Sequence, residues 1–221
     1  AADTPNLNEL TKRGAVGLLD PIKPGVRAGS DTAHLSIFGY DPDKYYTGRG
    51  VYEALGIGME VGENDVSFRT NFGTVDNDLI LKDRRAGRIQ SGQEELEKAL
   101  QKLESPYSDV KVDFKASTEH RGALVLRGPN ISGNINDVDP HETEVEIPET
   151  EPTDNSEAAK RTAEIVNDIV QQSYRLLKDL PLNKEREEDG ELPANIILPR
   201  GAAIHPDLPD LNEKYGVKGV V

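Results

Sequence analysis

The run SEAAKRTAEIVNDIVQQSYRLLKDL, residues 156–180, restricts the fold more than any other part of the chain. Ile165, Val166, Ile169, Val170, Leu176, Leu177 and Leu180 recur at threes and fours, which predicts one long helix with a single apolar stripe. A stripe of that length needs a broad apolar surface to lie on. The segment before it supplies one. In DVSFRTNFG, Val66, Phe68, Thr70 and Phe72 alternate onto one face of a strand, leaving Ser67, Arg69 and Asn71 on the other. DNDLILKD reads as the return strand of a hairpin, Val110, Val112 and Phe114 alternate in a further strand, and GALVLRG and ANIILPRG supply two more, the last ending at Arg200. A shorter helix is predicted between them, with Ser91 and Glu94 as a capping box and Leu96, Ala99, Leu100 and Leu103 as its stripe. The middle of the chain is therefore expected to be an α+β sandwich: a mixed or antiparallel sheet of at least four strands, covered by helices near 92–104 and 156–180.

The flanks read differently. Residues 4–13 predict a short helix capped by Thr4 with Pro5 at its first position. GAVGLLDP reads as a brief strand, and the loop IKPGVRAGS leads to a helix through DTAHLSIFG, with Ser30 as its N-cap and Gly39 as its end. His34, four residues on, is expected to lie against the core. YEALGIGM is a second short helical piece. ETEVEIPETEPTDN, 142–155, and NKEREEDGE read as solvated loops. The closing KYGVKGVV has a strand pattern with no turn or helix after it, and on that reading the chain is an internal segment of a longer protein.

Charge narrows the partners. Forty acidic residues oppose 26 basic ones, a net charge of −14, and no polybasic run is present. Nucleic acids and anionic membrane surfaces are excluded as expected partners on that ground, since both carry the same sign of charge. The aliphatic stretches are also too short to span a bilayer. Without cysteine there is neither a disulfide framework nor a thiolate metal site. Against this acidic background, DRRAGR gathers Arg84, Arg85 and Arg88 beside Asp83. EHRG adds His120 and Arg121, DPHE adds Asp139 and His141, and LPRG adds Arg200. Singly, each such residue is more often a surface ion pair than a ligand contact. Together, at predicted strand ends, they point to an anionic small molecule, because guanidinium groups bind carboxylate and phosphate through paired hydrogen bonds. The expectation is that at least three of Arg84, Arg88, Arg121 and Arg200 face one cleft, oriented by Asp83 or His120.

TPNLNELTKRG, DPIKPGVRAGSDTAHLSIFGYDP, GRGVYEALGIG, FRTNF, DRRAGRI, HRGALVLRG, DPHE and LPRGA, taken together, resemble the archaeal-type, 2,3-bisphosphoglycerate-independent phosphoglycerate mutases of the alkaline phosphatase superfamily. The resemblance implies an α/β fold: a partial phosphatase-like core in 1–48, a substrate-clamping insert in 49–206, and a return to the core in 207–221. It implies a cytoplasmic isomerase of glycolysis and gluconeogenesis that interconverts 3-phosphoglycerate and 2-phosphoglycerate. Ser30 would be the nucleophile forming a phosphoserine, and also a ligand to one of two divalent cations (manganese, zinc, cobalt or magnesium), with 2,3-bisphosphoglycerate not required. Asp83, Arg84, Arg88, His120, Arg121, Asp139, His141 and Arg200 would bind substrate. The family's remaining metal ligands have no counterpart in residues 1–221, so the segment alone is expected to be inactive. Two alternatives stay open: another phosphohydrolase or phosphomutase of the same superfamily, and a non-catalytic domain that binds a phosphorylated ligand.

Overall fold

The structure, a computed structural model, describes residues 2–219. The chain divides into two compact units, Ala1–Tyr46 and Thr47–Val221.

The first unit carries helices α1 (Pro5–Arg13), α2 (Ser30–Ile37) and α3 (Pro42–Tyr45). Leu35 and Tyr40 are its buried apolar residues, and the Tyr46 hydroxyl donates to Asp31 Oδ2 at 2.6 Å. The expected strand in GAVGLLDP does not form: Val16, Leu18 and Leu19 lie exposed in irregular chain, and among the described residues none of the paired strands includes them. Ser30 is not the N-cap of α2. That position belongs to Gly29, whose N–H donates to Thr32 Oγ1 at 3.1 Å, and Ser30 is the first helical residue. His34 does not pack inward either. It is exposed, its ring nitrogen Nδ1 turned back to the Ser30 carbonyl and its ring 6.2 Å from that of Phe38.

In the second unit the order is α4 (Gly50–Gly56), β1 (Val66–Val75), β2 (Ile80–Asp83), a 3-10 turn at Ala86–Arg88, α5 (Gln93–Leu100), β3 (Lys111–Ala116), β4 (Arg121–Arg127), β5 (Val145–Glu146), α6 (Glu157–Leu177), α7 (Pro181–Glu188), β6 (Ile196–Ile204) and α8 (Leu211–Tyr215). The strands form a six-stranded sheet in the order β3-β4-β1-β2-β5, with β6 also pairing to β1, and every pairing is antiparallel. Central β1 has Phe68 opposite Leu124 of β4 and Phe72 opposite Ile197 of β6. Directly opposed residues share a face, so these side chains make one apolar surface.

Helix α6 lies on that surface. Ser156 Oγ caps it by accepting the Ala159 N–H at 3.1 Å, and Ile165, Val166, Ile169, Val170 and Leu177 are buried. Each such side chain contributes about 1.5–3 kcal/mol relative to exposure. Its buried polar residues are also tied down: Ser173 Oγ accepts the Ile197 N–H of β6 at 3.2 Å, and Thr162 Oγ1 accepts the Ser132 N–H at 2.8 Å. Leu96, Ala99 and Leu100 of α5 and the following Leu103 complete the layer. The opposite face is covered as well. Gly50 of α4 sits so close to β1 that a Cβ there would fall 2.1 Å from the Ser67 carbonyl oxygen, so only glycine permits the contact. Beyond it Ala54 packs with Ala123 and Val125 of β4.

The structure departs from the sequence expectation in five further places. The Ser91–Glu94 capping box is absent; Gly92 is the N-cap in the left-handed region at φ 88, where a Cβ would strike Leu182, and no side chain caps the helix. NKEREEDGE is not a loop, because most of it belongs to α7. Pro181 starts that helix, Asn183 Nδ2 donates to the carbonyls of Leu177 and Ala194 at 2.8 and 3.0 Å, and Arg186 Nε donates to the Leu192 carbonyl at 2.9 Å. The acidic loop 142–155 contributes the short β5, paired with β2. Strand β6 runs past Arg200 to Ile204, and of KYGVKGVV, Lys214 and Tyr215 end α8 while Val220 and Val221 lie outside the described residues. Among the described residues, no helix is long and apolar enough to cross a membrane.

Candidate functional site

The cationic residues of the second unit meet on the side of the sheet away from α6, because β1 sets their register. Arg69 of β1 stands directly opposite Arg200 of β6, and Asn71 opposite Arg121 of β4. Asp139 joins them from the loop after β4. Its side chain is fully buried, accepting Arg84 Nε at 2.6 Å on Oδ1 and Arg84 Nη2 at 2.8 Å on Oδ2, while Arg200 Nη1 lies 3.4 Å from Oδ2. One carboxylate therefore holds two guanidiniums from segments far apart in sequence. Burial acts to raise the Asp139 pKa, but the Arg84 hydrogen bonds, the His141 N–H and the nearby Arg200 hold it below the usual carboxylate range. Arg84 Nη2 also donates to His141 Nδ1 at 2.7 Å, so that ring nitrogen is the acceptor.

Arg200 is pulled below its ordinary value by burial, with Arg84 and Arg49 adding to the effect and Asp139 and Asp137 opposing it. Arg69 is pulled down by burial too, against the pull of Glu53, and then by Arg200, Arg121 and Arg49. These guanidiniums are close enough to repel one another out of full reach of water. Such a place favours an anionic ligand.

His120 is buried, and its Nδ1 has no hydrogen-bond partner; Glu119 Oε2 is 3.6 Å away. Burial first, then Arg121 and Arg85, and to a smaller extent Arg69, lower its pKa to about 4 against the opposing pull of Glu119. The ring is neutral at pH 7. A depressed folded-state pKa contributes stability that is complete above about 6.5 and is lost as pH falls towards 4, about 3 kcal/mol at the limit. Urea unfolding of this chain is expected to show that loss, and His120→Gln to flatten it.

The other expected residues divide. Asp83 Oδ1 accepts the N–H groups of Arg85 and Gly87 at 2.7 and 3.0 Å, so this carboxylate holds the loop's own turn. Ala86, Gly87 and Arg88 are successive left-handed residues at φ 45, 63 and 59, backbone strain of the kind stored at functional sites. Arg88 is exposed, and the hydrogen bonds and ion pairs that join Arg84, Asp139 and Arg200 do not include it. Orientation of that group comes from Asp139, in place of the expected Asp83 or His120. Ser30 and its helix belong to the first unit, where Ser30 is exposed at the start of α2.

Arg69, Asn71 and Glu53 escaped the sequence reading. The alternation put Arg69 and Asn71 on the face opposite the core, and such a face ordinarily meets water. Here β1 is central and covered on both sides, a fact visible only once α4 is seen to lie on it.

A family model described as 2,3-bisphosphoglycerate-independent phosphoglycerate mutase matches residues 11–183. The chain belongs to that family. Members named 2,3-bisphosphoglycerate-independent phosphoglycerate mutase from Methanosphaera stadtmanae and Methanocaldococcus jannaschii are 52% and 50% identical to it over 219 residues, which is 99% of this chain and 53% of each relative. A solved structure of the cofactor-independent phosphoglycerate mutase of Thermoplasma acidophilum superposes with a TM-score of 0.69 at 42% identity, over 85% of this chain and 50% of the other. The chain thus spans about half the length of the curated relatives it matches. Within this chain, no cluster of three or more His, Cys, Asp or Glu among the described residues is placed to hold a metal ion. Ser30 alone does not make a metal site, so the two divalent cations implied by the resemblance do not fit the residues present.

Proposed function

We propose that this chain carries the nucleophile and the substrate clamp of an enzyme that interconverts 3-phosphoglycerate and 2-phosphoglycerate, working in the cytoplasm in glycolysis and gluconeogenesis. The convergence of Arg84 and Arg200 on buried Asp139, in a chain of net charge −14, carries the reading. Family membership supports it. In this reading residues 1–48 belong to an alkaline-phosphatase-like core, 49–206 clamp the substrate and 207–221 return to the core.

Arg84, Arg121 and Arg200 hold the carboxylate and phosphate oxygens of the substrate, with Asp139 keeping two of them in position. Ser30 Oγ attacks phosphorus as its own proton leaves; the bond from phosphorus to the substrate oxygen breaks as the bond to the serine oxygen forms, the departing oxygen takes up a proton, and the glycerate leaves with both hydroxyls free. After the glycerate turns, its other hydroxyl attacks the phosphoserine and the serine oxygen departs. The N–H groups at the start of α2 face negative charge favourably, which suits the phosphorylated serine. A serine hydroxyl needs activation to act as a nucleophile at neutral pH, and no residue of this chain is assigned that role. The test is calorimetric titration of the 221-residue chain with 3-phosphoglycerate, together with turnover in the enzyme of full family length. Binding that Arg200→Gln weakens about tenfold or more supports the clamp. Undiminished binding in that variant refutes it.

A further inference from the structure

We propose that Arg69 and Asn71 of β1 are further substrate-binding residues of this site, Arg69 holding an anionic oxygen and Asn71 accepting a hydrogen bond from the substrate's free hydroxyl, with Glu53 keeping Arg69 in position. The inference rests on the phosphoglycerate reading above and adds to it what the FRTNF block does.

Hydrogen bonding and register carry the argument. Asn71 is 2% exposed, yet its Oδ1 is buried with no hydrogen-bond partner, and Arg69 Nε, Arg200 Nε and His120 Nδ1 are in the same condition. Buried polar groups are nearly always paired, because leaving one unpaired gives up its hydration for nothing. Here several cluster on one side of one sheet. Asn71 is in register with Arg121 and Arg69 with Arg200, so the unpaired atoms of Asn71, Arg69 and Arg200 lie on the same face. A group of unfilled donors and acceptors lying together is the condition of a site awaiting its ligand.

The types of the unfilled atoms describe that ligand. Guanidinium nitrogens are donors only and fit anionic oxygens; an amide oxygen accepts only and asks for a donor. A phosphorylated acid with a free hydroxyl offers both. A simple dicarboxylate dianion has no donor for Asn71 Oδ1. Glu53, on α4, has its Oε2 3.5 Å from Arg69 Nε, with the two side chains 17% and 12% exposed. At that distance the pair attracts without a formed hydrogen bond, so it fixes where the guanidinium lies and leaves its donors for the ligand.

The experiment titrates the 221-residue chain calorimetrically with 3-phosphoglycerate and with 3-phosphooxypropanoate, the same phospho-acid lacking the free hydroxyl, and records thermal melts without ligand. The parent is expected to prefer 3-phosphoglycerate. Asn71→Ala is expected to lose that preference, weakening 3-phosphoglycerate about tenfold or more and the deoxy compound little. Because it removes an unpaired buried group, it should also melt at or above the parent temperature, the opposite of what a structural asparagine would show. Arg69→Gln is expected to weaken both ligands alike, and Glu53→Gln to do so to a smaller degree. Parent-like titrations for Asn71→Ala and Arg69→Gln, with binding still sensitive to Arg200→Gln, overturn this inference and leave the functional reading standing. Failure of the parent to bind either compound overturns both.

Discussion

Replacing Ser30 by alanine in the enzyme of full family length is expected to lower phosphoglycerate interconversion at least about a thousandfold, leaving substrate binding and stability close to those of the parent. The separation of these effects follows from where the residue sits. Had Ser30 been the N-cap of α2, its removal would cost about 1 kcal/mol and confuse a stability loss with a chemical one. Gly29 holds that position, and Thr32 Oγ1 receives its N–H. Ser30 is exposed at the first helical position, where an alanine fits the helix and the change in stability should stay within about 0.5 kcal/mol. Turnover is measured by the rate of 2-phosphoglycerate formation, and the covalent intermediate by an 80-dalton mass increase on the Ser30 peptide, about that of one added phosphoryl group. A variant that turns over at the parent rate would remove Ser30 from the chemistry.

What the sequence disclosed depended on whether a residue's fate is decided locally. The stripe of 165–177 and the alternation of 66–72 place α6 and β1 correctly because each pattern needs only one apolar partner surface, whichever it is. NKEREEDGE misled because its polar residues are satisfied at a distance: Asn183 and Arg186 are buried against the carbonyls of Leu177, Ala194 and Leu192. GAVGLLDP misled for the reverse reason, since apolar residues make a strand only where another strand accepts their hydrogen bonds. The clamp was legible as composition, arginines beside glycine turns in an acidic chain. Which of them converge was not, because Arg84, Asp139 and Arg200 are joined only by the sheet's register and the loop after β4. Arg88, with the same sequence credentials, is exposed in a left-handed turn and stands outside the group.

Asp139→Asn should therefore be the most damaging change within the clamp for the fold itself, costing about 3–5 kcal/mol by urea unfolding. The carboxylate is fully buried and accepts both Arg84 hydrogen bonds, with Arg200 3.4 Å from the same group. Asparagine keeps the shape but removes the charge and turns one acceptor into a donor aimed at a guanidinium. Two half-buried cations then face each other without their counter-charge. The same reasoning fixes the pH dependence. The Asp139 pKa lies below the ordinary carboxylate value, so its contribution is present above that value and is lost as pH falls through the lower, folded-state one. Parent and variant stabilities should differ most near neutrality and converge in acid. An anionic ligand supplies the charge that the variant lacks, so saturating 3-phosphoglycerate should raise the variant's melting temperature by more than the parent's. Equal shifts would mean that the ligand does not meet Arg84 and Arg200, and that these arginines serve the fold alone. A larger shift in the variant would put the ligand's charge beside the two guanidiniums that Asp139 now holds, which is the arrangement a clamp requires.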